Sequence, residues 1–127
     1  KVVTRASIIA GIGCRRACPA SDIVALVRVA EAQAGGTVGA LAAPVEKCAV
    51  PALQEAAALL GVKLLAVAPD ALAQAQAHCV THSACAERAL GVASVAEGCA
   101  LAAAGATVLL LPRIASPRAT CALAVPP

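Results

Sequence analysis

The sequence predicts a single three-layer α/β domain. It consists of a mostly parallel sheet with helices on both faces and an antiparallel edge strand at the C-terminus. Three observations predict it. Short apolar runs alternate with longer stretches of helical periodicity through all 127 residues. The helical stretches are long enough to cross over between parallel strands. The apolar fraction is 61%, yet the chain has no Phe, Trp, Tyr or Met, so its core is built from Ala, Val and Leu. Such small side chains suit helices lying close on a sheet. At this length residues 1–127 form one domain that buries roughly two-thirds of its unfolded surface.

The elements follow in order. Ser7 to Ile12 reads as a short buried strand. Pro19 opens a helix in which Ile23, Leu26, Val27, Ala30 and Ala34 recur at helical spacing, and Gly35-Gly36 stops it. Val38 to Ala43 is a second strand, ending at Pro44. Pro51 starts a helix closed by Gly61, and Val62 to Val67 is a third strand. Pro69-Asp70 opens a short helix to about Ala77. The segment "HCVTHSACAERALG" is ambiguous, with a short strand near Cys79-Val80 and a helical turn before Gly91 as its readings. Ser94 begins the best-marked helix, "SVAEGCALAAAGA", ended by Gly105. Thr107 to Leu111 reads as a fourth strand and Pro112 to Pro117 as a loop. Ala119 to Val125 then returns as the antiparallel strand at the edge.

Composition excludes several functions. Without aromatic rings there is no platform on which single-stranded nucleic acid can stack. A net charge of +3 is too mild for a binder of phosphate backbones. The seven cysteines are odd in number and no export signal is visible, so reduced thiols in a soluble, cytoplasmic protein are expected. The longest apolar run, Cys99 to Pro112, is too short to span a bilayer and is interrupted by Gly105. No phosphate loop, zinc-protease pair or nucleophile elbow occurs, and no cofactor is expected.

In an open sheet of this kind ligands bind beyond the carboxyl ends of the strands. The stretch "SIIAGIGCRR" enters Gly11 and Gly13 as a dinucleotide-binding turn does, but places Arg15 and Arg16 where a third glycine belongs. Glu46 and Lys47 follow the second strand, Arg113 follows the fourth, and Arg118 lies in the return loop. The helix starting at Ser94 runs antiparallel to the strands, so its free N–H groups face the same edge. Four or five cations are thus expected there. Arginine forks donate two parallel hydrogen bonds to a carboxylate, which points to a carboxylate- or phosphate-bearing ligand. Ordinary solvated loop charges are the competing reading.

Ser94-Val95-Ala96-Glu97 has the form of a capping box, in which Glu97 reaches back to the Ser94 N–H. The structural role is favoured over a general-base role for Glu97. Cys14 lies beside the arginines, but no histidine is near in sequence to activate it, so it is read first as a bystander thiol. His78, Cys79, His82 and Cys85 lack the C-x-x-C regularity of zinc sites, and no metal is expected.

Three blocks carry a resemblance: "GIGCRR", "VEKCAVPALQEAAALLGVKL" and "GVASVAEGCALAAAGATVLLLPR", in that order. Together they resemble the family containing CobE and the C-terminal domain of CbiG, of the cobalamin (vitamin B12) pathway. The length is similar to the stand-alone members of that family. The resemblance implies an α/β domain serving corrin-ring synthesis. Its two-domain relatives open a δ-lactone on a cobalt-precorrin and release acetaldehyde. Family motifs fall on Gly11, Gly13, Cys14, Arg15, Arg16, Lys47, Ser94, Val95, Ala96, Glu97, Pro112 and Arg113. Relatives often carry an acidic residue where this chain has Val50, which argues against the hydrolytic reaction here.

The expected ligand is therefore a precorrin or corrinoid intermediate fringed with carboxylates, bound or carried rather than turned over. Gly11, Gly13, Cys14, Arg15, Arg16, Lys47, Ser94, Glu97 and Arg113 are its expected contacts. Corrin-pathway methyltransferases are the expected recipients. The rival expectation is a precorrin hydrolase with Glu97 as base, or less readily Cys14 as nucleophile.

Overall fold

A computed structural model describes residues 8–15, 17–81 and 94–127. Arg16, His82, Cys85 and the turn expected before Gly91 lie outside the described residues. The elements run β1 (Ile8–Cys14), α1 (Ala20–Ala34), β2 (Val38–Pro44), α2 (Pro51–Leu60), β3 (Lys63–Val67), α3 (Pro69–Ala75), α4 (Val95–Ala104), β4 (Leu111–Ala115) and β5 (Ala119–Ala124). Single 3₁₀ turns, Val45–Lys47 and Gln76–His78, follow β2 and α3.

Local chemistry sets the helix limits. Pro51 and Pro69 occupy the first turns of α2 and α3, where a missing N–H costs nothing. Gly35, Gly61 and Gly105 close α1, α2 and α4 with φ of 75°, 70° and 65°, a left-handed conformation that glycine adopts without a Cβ clash.

The sheet has the order β3-β2-β1-β5-β4. β1 pairs in parallel with β2, and β2 with β3. β5 is antiparallel to both of its neighbours, so β4 runs the same way as β1, β2 and β3. The fold is the expected three-layer α/β domain with an antiparallel C-terminal strand.

Its placement differs in one respect. β5 lies inside the sheet, between β1 and β4, and β4 forms the edge. The reason is burial: in β5, Cys121, Ala122, Leu123 and Ala124 are all fully buried, so both faces and both sides of this strand need cover.

The fourth strand is shifted as well. Thr107–Leu110 makes no ladder, Val108 is 76% exposed, and pairing begins where the Leu110 N–H donates to the Leu123 carbonyl (2.8 Å). β4 then runs through Pro112, which an edge strand tolerates because one side needs no donor. The register shifts between Leu111 and Ile114. Arg113 consequently lies within β4 rather than beyond it. Residues 79–81 form no strand.

Alternate residues of the sheet serve two cores. Ile8, Ala10, Ile12, Leu41, Ala43, Cys121 and Leu123 pack under α1 and α2. Ile9, Ala40, Ala42, Ala122 and Ala124 face α3 and α4. The second face is nearly all alanine, and α4 sits so low on it that Gly11 touches helix backbone. A Cβ at Gly11 would press on the Ala96 carbonyl and lie 2.5 Å from the Ala100 nitrogen. Gly11 and Gly13 therefore belong to β1 itself, not to a phosphate-cradling turn.

Gly11→Ala is expected to lower stability by about 1–3 kcal/mol or more, since the obstruction is backbone that cannot rotate away. A urea midpoint equal to that of the wild type contradicts this packing.

Candidate functional site

β1 to β4 all end at one edge of the sheet, and β5 begins there. This edge gathers side chains from distant parts of the sequence. Cys14 stands opposite Ala119, and the Arg15 N–H donates to the Arg118 carbonyl at 2.9 Å. The last residues of β1 thus lie beside the β4–β5 turn. Lys47, at the end of the 3₁₀ turn after β2, is close enough to act on the Cys14 thiol. Burial pushes that thiol up from its ordinary range, and the Lys47 ammonium pulls it partly back. Burial likewise raises Cys18, as do Cys14 and Asp22, while Arg118 opposes them. Both thiols stay protonated at neutral pH, so Cys14 is not an activated nucleophile.

The deeper cysteines are further from reactivity. Burial raises Cys79 to about 11, and Cys99 and Cys121 to about 12. All six described cysteines are free. Among the described residues no group of three or more His, Cys, Asp and Glu is placed to hold a metal ion.

The start of α4 reaches the same edge, with Val95 beside Gly13. Ser94 is the N-cap, and its hydroxyl accepts from the Glu97 N–H at 3.2 Å. Only half of the expected capping box forms. The Ser94 N–H donates instead to Gln76 Oε1 (3.0 Å), and Gln76 Nε2 donates to the Leu72 and Ser94 carbonyls (2.9 and 3.3 Å).

Relieved of that duty, the Glu97 carboxylate turns inward. Oε1 accepts from the N–H groups of Val80 (2.9 Å) and Thr81 (2.8 Å). Oε2 accepts from the Thr81 hydroxyl (2.8 Å) and the Arg113 N–H (2.9 Å). Glu97 is fully buried. Burial alone would raise its pKa, but the donors from Arg113, Thr81 and Val80 outweigh it and hold the group below the ordinary carboxylate range. It is an ionised pin joining α4, β4 and the segment after α3.

The expected site residues thus divide in two. Arg15 is exposed and Lys47 half-buried at the edge. Ser94, Glu97 and Gly11 are interior and hold the edge in shape. Arg113 is half-buried in β4, fastened through its backbone to Glu97. Two contributors were not singled out from sequence: Gln76 and Thr81. Their partners lie 18 and 16 residues away, beyond any local motif.

Beside Arg118 a groove of about 520 Å³ opens between α1 and the β4–β5 turn. Ala25, Leu26 and Val29 form one wall, with Asp22 at the end of the same helical stripe. Ser116 and Arg118 stand on the other side. Among the described residues the only ion pair is Arg28–Glu31 (2.8 Å). The cations of the edge therefore have no carboxylate partner within the described structure.

The chain is thus a five-stranded α/β domain with one antiparallel inner strand, and Arg15 and Lys47 follow its two central parallel strands. The family "Cobalamin synthesis G C-terminus" matches residues 8–124, and the chain belongs to that family. Two solved structures are similar to it. The crystal structure of CobE, a protein from the cobalamin (vitamin B12) biosynthetic pathway, is 36% identical with a TM-score of 0.86. The match covers 93% of this chain and 89% of that one. Cobalamin biosynthesis protein chiG from Agrobacterium tumefaciens is 35% identical with a TM-score of 0.74, over 93% of this chain and 97% of that one. Among curated proteins none matches.

The Glu97 pin has a pH signature. Its pKa in the folded state is depressed, so its contribution is complete above the unfolded value, about 4.3, and is lost as pH falls through the folded one. At pH 7, Glu97→Ala is expected to cost about 3 kcal/mol or more, because buried donors lose their acceptor. Glu97→Gln is expected to cost about 2 kcal/mol, since its NH₂ faces a donor. Urea unfolding at several pH values checks this: the gap between wild type and Glu97→Gln should narrow below about pH 4. A gap that widens on acidification contradicts an ionised Glu97.

Proposed function

We propose that this protein binds and carries a polycarboxylate precorrin or corrinoid intermediate at the carboxyl edge of its sheet. The observation that carries the reading is the group of unpaired cations there. Arg15, Lys47 and Arg118 come from three separate turns, and none has an acidic partner among the described residues. A macrocycle with acetate and propionate arms supplies such partners at intervals around its rim, and each arginine can grip one through a two-pronged contact. Membership of a cobalamin-synthesis family supports that ligand class.

The chemistry of the edge favours carrying over hydrolysis. Both oxygens of Glu97 are engaged by N–H and O–H donors, so it is a poor proton acceptor. Cys14 is held as a neutral thiol. Val50 stands where the family resemblance leads one to expect an acid. In this reading Glu97 and Ser94 are positioning residues that hold α4 and β4 at the rim. The intermediate would pass on to the methyltransferases of the corrin pathway, in a cytoplasmic setting that keeps the thiols reduced.

Gel filtration of the protein with the heptacarboxylate cobyrinic acid tests this. The chain has no Tyr or Trp, so visible and near-ultraviolet absorption in the protein peak belongs to the ligand. The wild type should carry pigment, lose it with rising salt, and ignore the amidated analogue cobinamide. Arg15→Ala combined with Lys47→Ala should weaken binding about 100-fold, one factor of ten for each charge-assisted contact. Equal uptake of the amidated ring contradicts the proposal. A change of mass in the returned corrinoid replaces the carrier with an enzyme.

A further inference from the structure

We infer that the groove between α1 and the β4–β5 turn is a separate subsite for one carboxylate arm of the ligand, with Arg118 as its anchor. The inference deepens the proposed function and rests on that reading.

Size and position are the first grounds. About 520 Å³ of open groove is room for a side arm rather than an enclosing site for a whole ligand. The groove also adjoins the cation edge directly, because the Arg118 carbonyl accepts the Arg15 N–H at 2.9 Å. A ligand spread over Arg15 and Lys47 has only to extend one side arm to reach it.

The lining then selects the chemistry. Ala25, Leu26 and Val29 make an apolar wall fit for methylene groups, and Val29 is 46% exposed. At the other wall the Arg118 guanidinium makes no hydrogen bond or ion pair among the described residues. Asp22 lines the same groove but is not within ion-pair distance of it. An apolar stem ending in an acid satisfies both walls. Asp22 adds a selection by charge: it tolerates a singly charged carboxylate beside Arg118 better than a doubly charged phosphate. Arg118 is thus a specificity-determining residue outside the motifs that carry the family likeness.

The test uses the whole protein with cobyrinic acid as probe and two exposed positions that do not support the fold. Arg118→Ala should weaken pigment binding about tenfold, the loss of one charge-assisted contact. Val29→Glu, which sets a second negative charge in the groove, should weaken it similarly, while Val29→Lys should not. Unchanged thermal unfolding shows that each variant is folded. Inorganic phosphate at millimolar concentration should fail to displace the pigment. If Arg118→Ala and Val29→Glu bind like the wild type while the Arg15–Lys47 double variant does not, the subsite is wrong and the edge reading stands on Arg15 and Lys47 alone. Displacement by phosphate overturns the carboxylate selectivity. A wild type that carries no pigment overturns both.

Discussion

The close seating of α4 on β1 governs the remainder of the architecture. Where Gly11 meets the backbone of Ala96 and Ala100, helix and strand approach without an intervening side chain, and the alanines around it allow the contact to extend. That seating sets the start of α4 over Gly13 and turns Glu97 into the interior. From there the carboxylate grips the Arg113 N–H and so fixes β4, and β4 fixes the turn that carries Arg118. The cation edge is the far end of a chain of contacts that begins at a missing Cβ. A buried carboxylate is also directional in a way that apolar packing is not, because four donors from β4 and Val80–Thr81 must meet its two oxygens.

Physical economy explains why interior and edge residues are intermixed in the same motifs. Ser94 and Glu97 lie in one of the blocks that carry the family resemblance, yet both are buried and their polar atoms are bound within the protein. Arg15, in the first motif, is exposed. A short motif can thus hold one residue that meets ligand and another that holds the first in place. The two are told apart by burial and hydrogen-bond partners, not by spacing.

Much of the fold could be read in the sequence because its punctuation is local. Pro51, Pro69, Ser94 and the glycines 35, 61 and 105 act through their own backbone angles, and the helices fall between them. The gathering of Arg15 and Lys47 followed from topology alone, since both come directly after parallel strands. What escaped depended on tertiary context. The run Thr107–Leu111 has strand composition, but its first residues lack a neighbour to pair with, whereas Pro112 is accepted because β4 lies at the edge. The capping box at Ser94 was outcompeted by Gln76, a residue from another element that takes the Ser94 N–H. The interior position of β5 follows from which faces are covered, which no local pattern records.

In the proposed binding mode, unpaired cations from separate turns converge on one acid-fringed ligand. The most direct measurement of this convergence is an NMR titration that follows the Nε–H signals of the arginines as cobyrinic acid is added. Arg15 and Arg118 should shift together and saturate at one equivalent, while Arg28, already paired with Glu31, should stay still. Equal movement of Arg28, or shifts of Arg15 and Arg118 that saturate separately, would contradict a single shared ligand at this edge.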